Sequence, residues 1–534
     1  MNMRLSKSSV TKLTNLIPAV LAGYAVIHIL FMMFLWMNHV AFPLNLEAME
    51  LTILEHLKRV MIGLPLYPEP TGDFVALAYN PLYYFLCVPF AWIFGTNLFT
   101  MRLVAILGML GSGIIIFLAL RRATGSNWWG LMGSGLFAAA YQVMDTYLDN
   151  AHSDSWLLFT VLLGCYLIEQ NHSPRRNLLG VFLMVSAFWF KQHGALFAIG
   201  TLIYLTLRDG WQKSWHYWVV TLFLGPGLYW GAPDWLFGPR FHYFTWEVPR
   251  RWSDFGFGAI QRLVGFIARS YFFLAIIGAI ASVSALLSEA KLLATPAENP
   301  KGRESHPTVN IWYFMLPIAL LTGLMGALDD SNNNVFIPMG VLFIITGLLG
   351  IKKLTDRYMV MEQWNLHFCA LAGSFLLFLY NPIPVIVPPQ ATTAYQDLIG
   401  FLKSLNGSVY APWIGQLQDG YQFYPVAHGV PLSDIIRGPR INVRNNPTIK
   451  KLLTSVSNPN GKAYLLLTNP LKVDYLLDFL QEKYVLDQDL AKRFATLTTL
   501  PKRYNLLWPR YLYRYAPEEA AKQALNETST PAKK

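Results

Sequence analysis

Long apolar segments alternate with short polar connections along most of the chain. Lipid offers no hydrogen-bond partners to the backbone, so each apolar segment is predicted to be a membrane-spanning helix. The predicted spans are residues 17–37, 103–120, 127–144, 155–168, 177–190, 194–207, 217–233, 263–287, 310–328, 335–351 and 364–380. Several are shorter than the ~20 residues that an isolated span needs, and we expect these inside a helix bundle.

The polar connections predict the orientation of the chain. Lys and Arg dominate alternate connections, and carboxylates dominate the others. By the positive-inside rule the basic connections face the cytoplasm, which puts the N-terminus inside and the C-terminus outside the plasma (inner) membrane. The basic groups are Arg4/Lys7/Lys12, Arg121/Arg122, Arg175/Arg176, Arg208/Lys213, Lys291/Lys301/Arg303 and Lys352/Lys353/Arg357.

Composition supports a multi-pass membrane protein and excludes other classes. Hydrophobic residues make up 54% of the chain and charged residues only 14%, whereas roughly a quarter of residues are charged in soluble proteins. The net charge of +11 is spread over the cytoplasmic connections, where topology and anionic lipid explain it, so no nucleic-acid partner is predicted. Cys87, Cys165 and Cys369 each lie in an apolar run, and neither a disulfide framework nor a metal site is predicted. No cofactor is expected.

The first outer loop, residues 38–101, is neither a plain span nor a simple connection. Within it, residues 47–62 carry apolar side chains on one face at helical spacing, which predicts an amphipathic helix lying on the membrane surface. Asn45 is its predicted N-cap and Gly63 its predicted end. Residues 80–95 form a second helix that we interpret as interfacial or re-entrant, because a true span there would invert every later connection.

The chain changes character after the last span. Residues 1–387 form the predicted membrane domain, and residues 388–516 mix helical patterns with strand-like runs at 408–412 and 463–468. This predicts a small α/β domain outside the cytoplasm, including an amphipathic helix over residues 471–484. The tail, residues 517–534, is rich in Ala, Glu, Lys and Thr and is predicted to be disordered.

Several short motifs follow one another on the predicted outer side. They are Glu47-Ala48-Met49-Glu50, Tyr79-Asn80-Pro81-Leu82-Tyr83-Tyr84, Arg102, Asp149-Asn150-Ala151-His152-Ser153-Asp154, Lys191-Gln192 and Asn333-Asn334. In order and sidedness they resemble the C superfamily of glycosyltransferases, which includes the protein O-mannosyltransferases and the lipid A aminoarabinose transferases. Two positions depart from that pattern: relatives usually carry Asp-Glu or Glu-Gly at the first acidic site, and often Arg where His152 stands.

The resemblance implies that a sugar is transferred from a polyprenyl-phosphate carrier to an acceptor hydroxyl at the outer face, with inversion at the anomeric carbon. A carboxylate must then accept the acceptor's proton. Glu50 is the first candidate, because relatives with this loop place a Glu about one amphipathic helix ahead of the Gly before the Pro-Leu-Tyr turn. Its place on the apolar side of its helix, where an idle charge is costly, gives modest further support. Glu47 is the close alternative. Both residues also suit the positive end of a helix dipole without any catalytic role.

Asp149 and Asp154 lie near the outer surface between the third and fourth spans. They are candidates to hold sugar hydroxyls, to orient the base or to help bind a divalent ion, and the alternative is ordinary solvated loop polarity. No metal site is predicted, since more ligands of known geometry are required.

A cation near the outer interface is needed to neutralise the phosphate as it leaves. Lys191 ends the fifth span on the outer side, against the positive-inside trend, and snorkelling to lipid head groups is the alternative role. The further candidate substrate-binding residues are Gln192, His193, Arg250, Arg251, Tyr79, Asn80, Tyr83, Arg102, His152 and Asn334.

Two other functions compete with a transferase. A secondary transporter places broken helices in two related halves and charges at mid-membrane, whereas these charges sit at the outer rim. A non-enzymatic envelope-assembly protein accounts for the outer domain but not for the clustered carboxylates. The expected partners are a polyprenyl-phosphate sugar donor, a lipid, glycan or protein acceptor, and membrane lipid, and the sequence identifies neither the sugar nor the acceptor.

Overall fold

The computed structural model describes residues 7–169, 173–252, 256–294, 309–327, 331–358, 366–415, 424–436, 446–498 and 508–529. Most of these residues form a helical bundle. Its helices are α1 (Lys7–Val40), α2 (Glu50–Met61), α3 (Leu82–Phe94), α4 (Leu98–Thr124), α5 (Asn127–Ala139), α6 (Asp154–Glu169), α7 (Pro174–Phe190), α8 (Gly194–Asp209), α9 (Trp211–Leu222), α10 (Leu228–Gly231), α11 (Asp234–Phe237), α12 (Val248–Arg251), α13 (Phe257–Ser270), α14 (Phe272–Ala294), α15 (Ile311–Gly326), α16 (Ile337–Tyr358) and α17 (Leu366–Leu377).

Apolar helices identify a membrane protein. Among the described residues, four helical stretches are long and apolar enough to cross a bilayer: Leu16–Val40, Leu98–Thr124, Phe272–Glu289 and Asn333–Asp356. Three shorter helices are also apolar, at Leu82–Phe94, Ile311–Gly326 and Phe368–Leu377. The count of about eleven spans and their orientation remain predictions.

Helix α16 forms the centre of the bundle. Its most apolar window is 94% buried, against 17% for the window in α1 and 22% for that in α14. A helix that is apolar on all sides belongs in a core, because neighbouring helices must cover every face. Helices α1 and α5 approach each other closely through small residues. A Cβ atom on Gly135 of α5 would lie 2.3 Å from the Cβ of Ala25 in α1.

Two predicted spans are interrupted. Residues 263–287 are divided at Tyr271, whose buried ring packs on Phe266 and Phe378, into α13 and α14. Between α9 and α10, the chain widens into a π-helical turn at Phe223–Gly227. Pro226 lies in this turn, and proline lacks the N–H that a regular helix needs.

The first loop, predicted as residues 38–101, occupies residues 41–97 between α1 and α4, and its helix α2 is buried more deeply than a helix on a membrane surface. Helix α2 begins at Glu50 and buries seven residues, including Glu50 itself and His56. Asn45 does not cap it as predicted, since its Nδ2 donates instead to the carbonyl of Ile414 at 2.9 Å. Helix α3, with 13 residues, extends only about 20 Å, which is short of the ~30 Å hydrocarbon core.

The C-terminal residues form the small α/β domain. Its elements are α18 (Gln390–Ser404), β1 (Ser408–Tyr410), α19 (Gly429–Ile436), α20 (Pro447–Leu452), α21 (Thr454–Ser457), β2 (Ala463–Leu467), β3 (Tyr484–Asp489), α22 (Ala495–Thr498), β4 (Tyr511–Tyr515) and α23 (Pro517–Ser529). The strand order is β1-β2-β4-β3, with β1 and β2 parallel and the other pairs antiparallel.

Two predictions for this domain are wrong. The amphipathic helix expected over residues 471–484 is replaced by two short 3₁₀ turns followed by strand β3. Residues 517–529 of the tail that was expected to be disordered form helix α23, and residues 530–534 lie outside the described residues. Arg514 bonds to Glu519 at 3.0 Å, and Ala520 is buried. Acidic residues at the start of α23 also suit its dipole.

The domain rests directly on the first loop. Besides the Asn45 bond, the amide of Ala427 donates to the carbonyl of Gly72 at 2.7 Å. Gly415 adopts a φ of +87°, and a Cβ atom there would lie 3.1 Å from the Cβ of Leu51 in α2. The loop that carries the acidic motif is therefore enclosed between the bundle and the C-terminal domain.

Candidate active site

Arg102 of α4 and Glu50 of the first loop form a fully buried ion pair. Arg102 donates through Nε and Nη2 to the two carboxylate oxygens of Glu50, at 2.8 and 2.5 Å. Its remaining hydrogens bond the carbonyls of His39, Phe42 and Leu44. The loop is thus fastened to the start of α4, and Arg102, a predicted substrate-binding residue, is occupied by the chain itself.

Glu50 is enclosed on all sides. It also accepts hydrogen bonds from the amides of Leu46 and Ala151. Burial raises the pKa of Glu50, but the charge and hydrogen bonds of Arg102 outweigh that effect and hold the pKa below its ordinary value. A carboxylate that is stabilised in this way is a poor proton acceptor. The structure therefore disfavours the first candidate base.

Glu47 has the opposite environment. Its carboxylate accepts one hydrogen bond from the hydroxyl of Tyr147 and one from the amide of Met49, both at 2.9 Å. Burial raises the pKa of Glu47 to about 7; the Met49 amide opposes the increase and the charge of Glu50 adds to it. A base works best when its pKa is near the operating pH. Glu47 therefore becomes the favoured candidate.

Lys191, which follows the last residue of α7, and Asp154, the first residue of α6, form a second buried ion pair. Lys191 Nζ lies 2.7 Å from Asp154 Oδ1, and both residues are almost fully buried. Asp154 Oδ2 accepts from Asn334 Nδ2 at 2.9 Å and lies 2.5 Å from His152 Nδ1. Lys191 is held inside the protein, which differs from the snorkelling alternative. Asp154 positions it.

The ring of Tyr79 lies beside Lys191 and His152. Its ring centroid lies 5.4 Å from Lys191 Nζ and 5.0 Å from the ring of His152. Burial raises the pKa of Tyr79 strongly, and the charges of Glu47, Asp154 and Asp434 raise it further. The hydroxyl of Tyr79 is therefore within electrostatic reach of both Glu47 and Asp154.

Asp149 belongs to a separate network. It lies 2.7 Å from His39 Nδ1 and accepts from the hydroxyl of Tyr141, while His39 Nε2 lies 2.7 Å from the carbonyl of Val385. This network ties the end of α1 to the segment before the C-terminal domain. Asp149 and Asp154 are close in sequence, but the structure gives them different partners.

The turn between α5 and α6 is backbone-strained next to the site. Asp145 and Thr146 have φ values of 49° and 62°, which cost free energy in residues other than glycine. Asp145 holds this turn by accepting from the amide of Asn333 at 2.6 Å. Asn332 donates to the hydroxyl of Tyr147, which in turn bonds to Glu47. The strained turn and the residues before α16 therefore share one network with Glu47.

Other predicted substrate-binding residues hold the backbone around the site. Gln192 donates to the carbonyls of Ala78 and Thr245, Asn80 to that of Phe188, and Tyr83 to that of Met101. His193 precedes α8 as its N-cap. Arg250 and Arg251 are exposed on α12, and Arg251 Nη1 lies 3.4 Å from the carbonyl of Ile435 in α19.

Sequence reasoning missed Tyr147, whose hydroxyl donates to Glu47. No motif or periodic pattern marks this residue. Among the described residues, no group of three or more His, Cys, Asp or Glu side chains is arranged to hold a metal ion. The described site brings together a buried carboxyl of raised pKa, Glu47, a buried cation, Lys191, and the rings of Tyr79, Tyr147 and His152.

One protein family matches part of the chain. The profile of the dolichyl-phosphate-mannose-protein mannosyltransferase family matches residues 79–230, which include Tyr79, Asp154 and Lys191. For that part of the chain, the match confirms the resemblance to the C superfamily of glycosyltransferases. Comparison with curated protein sequences found no match.

Two solved structures have a partly similar chain course. ArnT from Cupriavidus metallidurans, bound to undecaprenyl phosphate, is 13% identical with a TM-score of 0.46, over 93% of this chain and 98% of that chain. The Archaeoglobus fulgidus oligosaccharyltransferase AglB, in complex with an inhibitory peptide and a dolichol-phosphate, is 12% identical with a TM-score of 0.40, over 90% of this chain and 71% of that chain.

Proposed function

We propose that the protein is a membrane glycosyltransferase that moves a sugar from a polyprenyl-phosphate donor to an acceptor hydroxyl on the extracytoplasmic side, with inversion. One observation carries the proposal: Glu47, a buried carboxyl whose pKa is raised to about 7, bonds to Tyr147, and Lys191, a buried cation, lies against Tyr79, while the rings of Tyr147 and Tyr79 both contact His152. Such a pair supplies the two things that this reaction needs, a proton acceptor and a partner for the leaving phosphate.

Glu47 is the proposed general base. It removes the proton from the acceptor hydroxyl as the hydroxyl oxygen forms a bond to the anomeric carbon of the sugar. The bond between that carbon and the phosphate oxygen breaks, and its electron pair leaves with the polyprenyl phosphate. Attack from the face opposite to the leaving group inverts the anomeric centre. A pKa of about 7 leaves a large fraction of Glu47 ionised at neutral pH.

Lys191 is the proposed partner of the leaving phosphate. An ammonium group has three donors, and Asp154 occupies one of them here. Asn334 donates to the other oxygen of Asp154, and His152 Nδ1 lies 2.5 Å from that oxygen, so the lysine is positioned before substrate binds. A preorganised charge of this kind stabilises the developing negative charge without reorganisation during the reaction.

A lipid-linked donor fits the chain better than a nucleotide sugar. The matched family uses a dolichyl-phosphate sugar by its description, and the sequence contains no glycine-rich phosphate loop of the nucleotide-binding type. A sugar on a lipid carrier reaches the site by diffusing in the bilayer, in which the bundle lies.

The test uses purified protein in lipid nanodiscs. Radiolabelled undecaprenyl-phosphate mannose and undecaprenyl-phosphate glucose are offered as donors, GDP-mannose and UDP-glucose serve as nucleotide controls, and membranes from a deletion strain supply the acceptor. We expect label to be transferred from a lipid donor and not from a nucleotide sugar. Efficient transfer from a nucleotide sugar without a lipid intermediate would overturn the proposal. Lipid-linked sugars that accumulate in the deletion strain identify the natural donor.

A further inference from the structure

A small polar cavity lies beside the buried ion pair of Lys191 and Asp154. It has about 10 Å³ of free space at the scale of a water molecule. Its lining includes Tyr79, Asn80, His152 and Ser153. Lys191 Nζ lies 5.4 Å from the centroid of the Tyr79 ring, and His152 Nδ1 lies 2.5 Å from Asp154 Oδ2. Tyr79 and His152 therefore connect the cavity to the ion pair.

Three buried polar atoms of the lining residues have no hydrogen-bond partner in the described part of the chain. They are Asn80 Oδ1, His152 Nε2 and Ser153 Oγ. None of the three residues is more than 5% exposed. A buried polar group without a partner is costly, and nearly all such groups in folded proteins are bonded to protein or to ordered water. Three of them at one cavity point to an occupant that bonds to all three.

Hydrogen bonds already in place define what the three atoms need. Asn80 Nδ2 donates to the carbonyl of Phe188 at 2.6 Å, which leaves Oδ1 as an acceptor. Burial lowers the pKa of His152 more than Asp154 raises it, so the ring is neutral and carries one proton. The carboxylate of Asp154 holds that proton on Nδ1, which makes Nε2 a second acceptor. The Ser153 hydroxyl can donate, so the occupant must donate two hydrogen bonds and accept one.

One water molecule meets this requirement. Water has two O–H donors and accepting lone pairs, and a buried water typically makes about three hydrogen bonds. The cavity is close to the smallest that holds a water, which excludes a sugar ring, and a single hydroxyl group could donate to only one of the two acceptors. A bound cation is disfavoured, because no acidic residue lines the cavity in the described part of the chain and the Lys191 ammonium lies nearby.

We propose that the cavity binds a single ordered water molecule, which donates to Asn80 Oδ1 and His152 Nε2 and accepts from Ser153 Oγ. None of these three bonds requires a bound substrate, so the water site goes beyond the proposed function. The effect of the water on the donor, in contrast, rests on that function.

The water closes a ring of hydrogen bonds around Lys191. On one side, Lys191 pairs with Asp154, which lies against His152. On the other side, Lys191 follows the last residue of α7, and Asn80 is bonded to the carbonyl of Phe188 in the same helix. The water joins His152 to Asn80 and so connects the two sides. It therefore positions the ammonium group that is proposed to meet the donor phosphate.

The direct test is a cryo-EM map of the wild-type protein in nanodiscs, without donor, at a resolution that shows ordered water molecules. We expect a density peak within hydrogen-bond distance of Asn80 Oδ1, His152 Nε2 and Ser153 Oγ. An empty cavity in a map that shows other buried waters would overturn the proposal. A peak with the shorter distances of a coordinated metal ion would overturn it as well.

Two variants test whether the water positions Lys191. Ser153→Val removes the hydroxyl and puts apolar volume into the cavity, whereas Ser153→Ala removes only the hydroxyl and leaves the water its two acceptors. The matched control is Ser134→Ala, because Ser134 of α5 does not line the cavity and donates to the carbonyl of Gly113 at 2.9 Å. Binding of undecaprenyl phosphate is measured for each protein in nanodiscs, and a thermal denaturation midpoint close to that of wild type shows that a variant is folded.

We expect Ser153→Val to weaken the binding of undecaprenyl phosphate about tenfold, which corresponds to the loss of one hydrogen bond from the ring that holds Lys191. Ser153→Ala should weaken it less, and Ser134→Ala should match wild type. In a Lys191→Met background, Ser153→Val should have no further effect, because the positioned ammonium group is absent. An equal loss in both backgrounds would overturn the positioning role.

The water site and the proposed function fail in different measurements. If the map shows no water, the inference is wrong whatever substrate the protein uses. If the map shows the water and Ser153→Val binds undecaprenyl phosphate as well as Ser134→Ala does, the positioning role is wrong and the proposed function stands. If the wild type neither binds undecaprenyl phosphate nor transfers sugar from a lipid donor, the proposed function is overturned, and the map alone decides on the water.

Discussion

Glu47 and Glu50 lie three residues apart, and we expect their charge-neutral variants to change stability in opposite directions. In Glu50→Gln, Arg102 keeps its charge inside the protein and loses its anionic partner. Removing one member of a buried ion pair typically costs about 3–5 kcal/mol of folding free energy. The three carbonyls that Arg102 also bonds offset only part of that cost, and the first loop should lose its fixed shape.

Glu47→Gln should instead stabilise the protein at high pH. Raising the pKa of Glu47 from 4.5 to about 7 makes the ionised form cost about 3 kcal/mol, since one pKa unit is ~1.4 kcal/mol. Between these two pH values the folded state binds more protons than the unfolded state, so wild-type stability falls as the pH rises. The amide cannot ionise, and the variant escapes this loss.

The assay is thermal denaturation in nanodiscs at pH 5 and pH 8, combined with turnover. For Glu47→Gln, we expect a midpoint near that of wild type at pH 5, a higher midpoint at pH 8, and no turnover at either pH. For Glu50→Gln, the midpoint should be lower at both. Glu55→Gln is the matched control, because Glu55 lies on the same helix in a partly exposed pair with Lys58. A stable Glu50→Gln protein and an active Glu47→Gln protein would refute this reasoning.

Three further predictions concern catalysis and topology. Lys191→Met should lower kcat/KM for the lipid donor, with a loss of about 2–4 kcal/mol in transition-state stabilisation. This loss should not add to that of Asp154→Asn in a double-mutant cycle. An unchanged rate would leave Lys191 as a structural ion-pair partner only. The rate should rise through about pH 7 and level off above it, because Glu47 must be deprotonated; a flat profile would exclude Glu47. A cysteine at Ser408 should react with an impermeant reagent from outside, and one at Ser305 only from inside; the reverse pattern would invert the topology.

The sequence predicted most helices because their signals are local. Apolar runs, flanking charges and prolines locate a helix within a few residues, and several predicted spans agree with helices such as α4 and α6. The breaks at Tyr271 and Pro226 were missed, since a short interruption barely changes the average hydropathy of a segment. The amphipathic pattern of α2 was interpreted as that of a helix on the membrane surface. The same pattern also suits a helix whose apolar face is covered by a domain distant in sequence, so the pattern alone could not distinguish the two.

The sequence predicted many of the residues at the site, but not which of them bond to one another. Glu47 and Glu50 carry nearly the same local signal, and their different pKa values come from partners that are distant in sequence. Arg102 is 52 residues from Glu50, and Tyr147 is 100 residues from Glu47. Lys191 was singled out by its position against the charge bias. Tyr147 had no signal at all, because its bond to Glu47 arises only when the turn between α5 and α6 packs against the first loop.

The bonds of Glu50 also constrain how the protein is made. The first loop leaves the ribosome before Arg102 does, and the amide of Ala151 that completes the shell of Glu50 is synthesised later still. Until α4 is inserted, Glu50 has the amide of Leu46 and water as partners but no cation, and the loop has no reason to bury Glu47. A nascent chain arrested before residue 102 should therefore leave the first loop open to protease, and one arrested after the insertion of α6 should protect it. The acidic site thus matures stepwise during translation.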